Sequence, residues 1–319
     1  MTKHITFLDR GTFADSVEWP TPAFAHTWEN HHNSIGDERF TRTAGKAYVL
    51  TNKVIIDADL IQRNPQLELV AVTATGVNNV DLDACKAAGV HVCNAQGYAR
   101  DAVPEWVLAQ LLALAQNQTR YRAVQTTSGW VGAEFFHYPV APIREIGRMT
   151  IGILGKGAIG EGVAKRLQAF GSDVRFLEHP GRFEARAGYH VFTTVLGQLD
   201  ALILCCPLTA DNAELVSTDL LQRLKPGAYV INPSRGGLVN ESALVAALRS
   251  GHLGGAALDV ASAEPLRADN PLNAVRDLPN FILTPHIAWS SQEAMTTLMH
   301  MTVENLNRFY AGERNFCLV

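Results

Sequence analysis

The sequence predicts an α/β protein made of two parallel-sheet blocks, on three observations. Short apolar runs alternate with helix-like segments along the whole chain, the pattern of strands joined by crossover helices. The alternation begins a second time at Met149, well inside the chain. The 319 residues, 47% of them hydrophobic, are enough for two separate cores.

In the first block, strands are expected at Ile5–Leu8, Ala47–Leu50, Leu69–Thr73 and Val90–Cys93. Asp57 and Asp81 stand as N-caps before helical patterns. A helix over Asp101–Gln116 carries Pro104 in its first turn, where a missing N–H costs nothing. It is apolar nearly all round, so it must be buried on several sides. In the second block, strands are expected at Thr150–Leu154, Asp173–Leu177, Ala201–Cys205, Tyr229–Asn232, Gly255–Val260 and Phe281–Leu283. Helices fit Ile159–Phe170, Thr218–Leu224 and Glu241–Arg249, with Gly171 and Gly251 after two of them as C-caps. Ser290-Ser291-Gln292-Glu293 reads as a capping box opening a last helix that runs toward Tyr310.

Composition excludes several classes. A formal net charge of -4 with scattered acids and bases argues against a nucleic-acid partner. The most apolar stretch, Trp106–Ala115, is too short for a bilayer, which needs roughly 20 residues, so no membrane partner is expected. The apolar run in the first residues is too short for a signal peptide. Five cysteines, Cys85, Cys93, Cys205, Cys206 and Cys317, include no Cys-x-x-Cys pair. They read as reduced thiols of a cytoplasmic protein, and no metal site is expected.

Leu154-Gly155-Lys156-Gly157-Ala158-Ile159-Gly160 contains Gly-x-Gly-x-x-Gly. With 25 glycines, chance gives about 0.15 such matches per chain, so the context must decide. An apolar strand precedes the motif and a helical pattern follows it. Gly155 then makes the tight turn, Gly157 lets backbone approach a pyrophosphate, and Gly160 lets helix pack on strand. Glu178 ends the next strand, 18 residues beyond Gly160, where an acid can accept bonds from ribose hydroxyls and repel a 2′-phosphate. NAD is therefore the expected cofactor. His179 and Arg182 would soften the repulsion, which leaves NADP open.

Arg235, Glu264 and His286 each follow an apolar strand of the second block. In a parallel sheet, ligands bind outside the carboxyl ends of the strands, so all three should gather on the edge of the glycine turn. Their chemistry suits a 2-oxo acid. Arg235 can clamp carboxylate and ketone oxygens with its planar fork. His286, as imidazolium, can protonate the ketone oxygen while a hydride arrives at carbon. Glu264 beside the imidazole would favour its protonated form and fix its tautomer.

The order glycine turn, Arg235-Gly236-Gly237, Glu264-Pro265, Pro285-His286 resembles the D-isomer-specific 2-hydroxyacid dehydrogenases over essentially the whole chain. Residues 74–81, Ala-Thr-Gly-Val-Asn-Asn-Val-Asp, and Ala288-Trp289 are most similar to the glycerate dehydrogenase, or hydroxypyruvate reductase, branch. The resemblance implies two doubly wound parallel-sheet domains with a cleft between them. A Rossmann cofactor domain, residues 99–289, would be inserted into a flavodoxin-like substrate domain, residues 1–98 plus 290–319. It also implies that Thr75, Gly76 and Val77 hold the substrate carboxylate, and that Asn52 and Lys53 face the cleft. Cys206, Pro207, Pro233, Ser234 and Asp259 match cofactor-lining positions; Asp259, an acid ending a buried strand, needs a partner such as the nicotinamide carboxamide.

Two features depart from the family. Val103-Pro104-Glu105-Trp106-Val107 replaces a Glu-His-Thr-like run, and Pro233 removes a backbone donor near the cofactor. The expected activity is reduction of a small 2-oxo acid, hydroxypyruvate or glyoxylate, to the D-2-hydroxy acid, and its reversal. The alternatives are a dinucleotide-sensing protein of the co-repressor kind on the same fold, and a methyltransferase using the glycine turn for adenosylmethionine. The latter leaves Arg235, Glu264 and His286 unexplained. Apolar residues on every face of the helix over Pro104–Gln116, with Tyr121, Trp130, Phe135 and Phe136 nearby, predict a two-fold homodimer, which the resemblance also implies.

Overall fold

The computed structural model describes residues 2–127 and 129–319. The chain divides into two compact units, residues 1–98 with 290–319, and residues 99–289.

The first unit is a five-stranded parallel sheet. Its strands are β1 (Lys3–Phe7), β2 (His26–Asn30), β3 (Tyr48–Thr51), β4 (Leu69–Val72) and β5 (His91–Asn94), in the order β2-β1-β3-β4-β5. That is the flavodoxin-like order. Every residue of β3 and β4 is buried, as expected of strands covered on both faces. Helices α1 (Glu38–Thr43), α2 (Ala58–Arg63) and α3 (Leu82–Ala88) follow β2, β3 and β4. The Asp57 and Asp81 carboxylates accept from Leu60 N and Ala84 N, the two expected caps. β2 has no counterpart in the sequence reading, because it is an edge strand, His-Thr-Trp-Glu-Asn, with no buried residue.

The second unit carries α4 (Ala102–Ala115), α5 (Gln118–Val124), β6 (Thr150–Leu154), α6 (Ala158–Ala169), β7 (Asp173–Leu177), α7 (Phe192–Val195) and β8 (Ala201–Leu204). It continues with α8 (Thr218–Arg223), β9 (Ala228–Asn232), α9 (Glu241–Arg249), β10 (Leu253–Leu258) and β11 (Phe281–Leu283). The sheet runs β7-β6-β8-β9-β10-β11, all parallel, and Leu177 makes a further parallel bridge to His190 beyond β7. Counting that bridge as a vestigial strand, the order is that of dinucleotide-binding folds, with the order reversing between β6 and β8. The chain returns to the first unit as α10 (Gln292–Tyr310), whose Leu298, Met299, Val303, Leu306 and Phe309 are buried. Its N-cap is Ser291, which accepts from Ala294 N. The helix therefore starts one residue later than a box on Ser290 requires, and Ala294 occupies the position where Glu293 was expected.

The chain itself supplies part of the cover that α4 needs. Trp106, Val107, Leu111 and Leu114 are buried and Leu108 and Leu112 half-buried within one chain. Close approach of α6 explains part of this: a Cβ on Gly162 would stand 2.9 Å from Pro104 Cγ and 3.1 Å from Arg100 O. A run of exposed apolar residues lies beyond α5, at Trp130, Val131, Phe135, Phe136 and Ile143. Among the described residues no helix is long and apolar enough to cross a membrane.

Candidate active site

The glycine turn follows β6. Gly155 has φ +105°, a left-handed backbone that only glycine adopts without strain. A Cβ there would stand 2.3 Å from Cys205 O, and one on Gly160 would stand 2.0 Å from Gly155 O. These two glycines let the turn close on β8 and let α6 pack on the turn. Around Gly157, by contrast, a Cβ would meet nothing within 4 Å, so the backbone is open to a ligand. Ala158 and Ile159 form the first turn of α6, which has no side-chain cap, leaving its first amides for an anion. A dinucleotide pyrophosphate fits this cradle. The Lys156 ammonium lies over the Phe176 and Tyr189 rings, 5.0 and 5.2 Å from their centroids.

Two buried asparagines shape the neighbouring strand ends, and sequence reading missed both. Asn212 holds the loop after β8, donating to Pro207 O at 2.9 Å, with its amide nitrogen 4.0 Å from Cys206 Sγ. Burial pushes the Cys206 thiol up to about 11, so it lines the site as a neutral group. Asn232, fully buried at the end of β9, clamps the next turn from both sides. It accepts from Ser234 N at 3.0 Å and donates to Arg235 O at 2.8 Å. Ser234 also donates its hydroxyl to Leu204 O at 2.7 Å, and with Pro233 it forms a rigid platform under Arg235. The available signal was Asn232 itself, since a polar residue closing an apolar strand must find partners.

Arg235 is half-buried and donates one bond, from Nη1 to Ser234 O at 2.7 Å. It makes no ion pair among the described residues, so most of its five donors remain for a ligand. His286 Nδ1 lies 2.7 Å from Glu264 Oε2, and Glu264 Oε1 accepts from Ala261 N at 3.1 Å. With the carboxylate accepting at Nδ1, Nε2 is left for substrate. His286 has φ +57°, a conformation held by its N–H bonds to Asp259 O at 2.8 Å and Thr284 O at 3.0 Å.

Asp259 has the partners a buried acid requires, and they are the catalytic loop itself. Oδ1 accepts from Thr284 Oγ1 at 2.5 Å and Ile287 N at 2.8 Å, and Oδ2 accepts from Ala288 N at 2.8 Å. Burial pushes its carboxyl above the usual carboxylate range, against the pull of these donors. Its side chain thus holds the His286 loop, a role the expected carboxamide contact did not include.

Glu178 directly follows β7, at the expected strand end, but is fully buried. Oε1 accepts from Arg186 N and Nε at 3.0 and 2.6 Å, and Oε2 from Arg186 Nη2 and His179 N at 3.0 and 3.3 Å. The Arg186 guanidinium holds its carboxyl down at about 2. A carboxylate has about four acceptor sites, and here all are occupied by protein donors.

In the first unit, Asp9 organises the turn after β3. Its buried carboxylate accepts from the backbone N–H of Asn52, Lys53 and Val54, at 2.6 to 3.2 Å. Asn52 is buried and donates to Thr73 O at 3.0 Å, which ties the turn after β3 to the turn after β4. Lys53 is exposed and lines a cleft of about 590 Å³ with Asp9, His32 and Arg39. Thr75 Oγ1 donates to Ala95 O at 2.9 Å, while the backbone N–H groups of Thr75, Gly76 and Val77 meet no acceptor among the described residues.

Residues 108–288 match the sequence model of the NAD binding domain of the D-isomer specific 2-hydroxyacid dehydrogenases. The chain belongs to this family. It is 40% identical to a putative 2-hydroxyacid dehydrogenase of Haemophilus influenzae, over 96% of this chain and 97% of that one. It is 37% identical to a glycerate dehydrogenase of Methylorubrum extorquens, over 98% of both chains. A crystal structure of a Thermus thermophilus protein superposes with a TM-score of 0.83 at 28% identity, covering 99% of this chain and 100% of that one. The second unit is accordingly the NAD-binding unit of a 2-hydroxyacid dehydrogenase. Among the described residues, no group of three or more His, Cys, Asp or Glu side chains could hold a metal ion.

Proposed function

We propose that this dehydrogenase reduces hydroxypyruvate to the D-2-hydroxy acid, and the smaller glyoxylate to its achiral 2-hydroxy acid, and runs the reverse oxidations. The observation that carries the reading is the 2.7 Å Glu264–His286 pair on the sheet edge that also presents Arg235 and the glycine turn. Bound NADH supplies the hydride. Arg235 grips the substrate carboxylate and ketone oxygen, drawing electrons from the carbonyl carbon. His286 Nε2 gives its proton to the ketone oxygen as hydride reaches carbon, and takes it back in oxidation. Glu264 holds the Nδ1–H and stabilises the charged imidazole. The unengaged amides of Thr75, Gly76 and Val77 are proposed as substrate-binding groups of the first unit, together with Lys53 and with Asn52, which ties the turn after β3 to the turn after β4. The 37% identity to a glycerate dehydrogenase supports the three-carbon substrate. A panel of 2-oxo acids at fixed NADH tests this. Hydroxypyruvate should give the highest kcat/KM, and a larger apolar 2-oxo acid in first place would contradict it.

NAD is the cofactor of the family's domain, and NADPH is proposed as an accepted second. The support is the Glu178–Arg186 pair, which cancels the charge that would repel a 2′-phosphate, beside exposed His179 and Arg182. Releasing Glu178 should restore discrimination. Arg186→Ala is expected to raise the NADH over NADPH preference by about two- to fivefold, the scale of one ion pair with an exposed partner. An unmoved ratio, or a shift toward NADPH, would contradict the assignment.

A homodimer is proposed through the exposed segment Trp130–Ile143, whose aromatic residues are of the type enriched at interfaces. Sedimentation equilibrium should give about twice the 34.7 kDa chain mass, whereas a 34.7 kDa species at all micromolar concentrations would refute it. All five cysteines are free thiols, which supports a reducing, cytoplasmic setting.

A further inference from the structure

The Ala261–Ser262 turn sits between two carboxylates. On one side Glu264 Oε1 takes the Ala261 N–H at 3.1 Å, while Oε2 of the same group faces His286 Nδ1 at 2.7 Å. On the other side stands Glu241, the first residue of α9, whose carboxylate takes three bonds of 2.7 Å each. Oε1 accepts from Ser262 N, and Oε2 from Ser262 Oγ and Asn270 Nδ2. Glu241 is 8% exposed, an acid of the kind rarely buried without a specific set of partners. Nothing in the hydride or proton transfer uses it directly. The same turn is pressed against the Arg235 loop: a Cβ on Gly236 would stand 1.9 Å from Ala261 C and 2.4 Å from Ser262 N.

We propose that Glu241 is a positioning residue for the catalytic pair, fixing the Ala261–Ser262 turn from which Glu264 is aimed at the His286 imidazole. The path is short and contiguous. Glu241 immobilises the Ser262 peptide, the adjoining Ala261 N–H anchors Glu264 Oε1, and the anchored carboxylate leaves Oε2 a single direction, toward Nδ1. Asn270 completes the brace. Its amide donates to Glu241, and its Oδ1 accepts from Leu272 N at 2.8 Å, so Glu241 is itself held from behind. Glutamine cannot replace the carboxylate here. Three donors converge on the two oxygens, and an amide offers one oxygen and turns an NH2 toward a donor. The turn would then be free to move by tenths of an ångström, enough to lengthen the Glu264–His286 bond.

A double-mutant cycle with Glu264→Gln separates this role from a general bracing of α9. It rests on Glu264 and His286 being the catalytic pair. Glu241→Gln alone should lower kcat for hydroxypyruvate about tenfold, with KM and the NADH dissociation constant each within about twofold of wild type. Added to Glu264→Gln, it should lower kcat by less than about twofold, because the group it positions is already lost. Ser262→Ala, which removes one of the three bonds and keeps the carboxylate paired, should show the same non-additivity at smaller amplitude and serves if Glu241→Gln fails to fold. Equal losses in both backgrounds, or a wild-type kcat in Glu241→Gln, would overturn the positioning role. A fully active Glu264→Gln single variant would instead overturn the catalytic pair, and the positioning role with it.

Discussion

His286→Gln is expected to lower kcat for reduction by about 10²- to 10⁴-fold, the usual scale of a lost general acid. NADH affinity should stay within about twofold, because the imidazole lies on a loop beyond β11, while the pyrophosphate cradle is at Gly155–Gly160 and α6. The loop should also keep its shape. Its anchors are the Asp259 carboxylate bonds to Thr284, Ile287 and Ala288, and the His286 N–H bonds to Asp259 O and Thr284 O, none of which involves the imidazole. Because His286 sits at φ +57°, His286→Asn is the companion variant, asparagine being more tolerant of left-handed backbone. Both should be inactive to a similar degree. Stopped-flow turnover and NADH titration measure the two quantities, and near-normal kcat in either variant would remove His286 from the chemistry.

Arg235→Lys is expected to lower kcat/KM by about 10²- to 10³-fold, with KM for the 2-oxo acid raised. That corresponds to the loss of two charge-assisted hydrogen bonds of about 1.5–2 kcal/mol each. Lysine keeps the charge but replaces a planar fork by a single ammonium, which cannot meet carboxylate and ketone oxygens together. The platform under the residue should survive, since Asn232 grips the backbone of residues 234 and 235 and not the guanidinium. Steady-state constants for hydroxypyruvate that match wild type would make Arg235 structural.

The parts of this site legible in the sequence share one property: they are set by local pattern. Apolar strands ending at Leu154, Asn232, Leu258 and Leu283 mark the carboxyl edge of a parallel sheet, so the glycine turn, Arg235, Glu264 and His286 could be placed together before any coordinates. The glycines are legible for the same reason, each serving the turn in which it sits. What the sequence hid depends on partners or positions that no regular local pattern announces. Glu178 is where expected, yet its carboxylate faces Arg186 across a loop with no regular pattern. Glu241 reads as an acid opening a helix, and only the fold brings it to Ser262 and Asn270. Asp9, which orders the turn bearing Asn52 and Lys53, lies more than forty residues from them in sequence. The edge strand β2 escaped notice because it buries no apolar face, leaving no period to read. The apolar girdle of α4 suggested a partner, and the sequence did not show that α6 supplies part of its cover through Gly162, a close contact that a residue without a side chain permits.

The proposed reaction is the reduction of a 2-oxo acid through the Glu264–His286 pair and Arg235. Its most direct measurement follows NADH oxidation by the purified chain on addition of hydroxypyruvate and determines the configuration of the glycerate formed. Rapid, hydroxypyruvate-dependent NADH loss yielding the D isomer is expected, slowed by about 10²- to 10⁴-fold in His286→Gln. No NADH oxidation with hydroxypyruvate or glyoxylate, or formation of the L isomer, would contradict it.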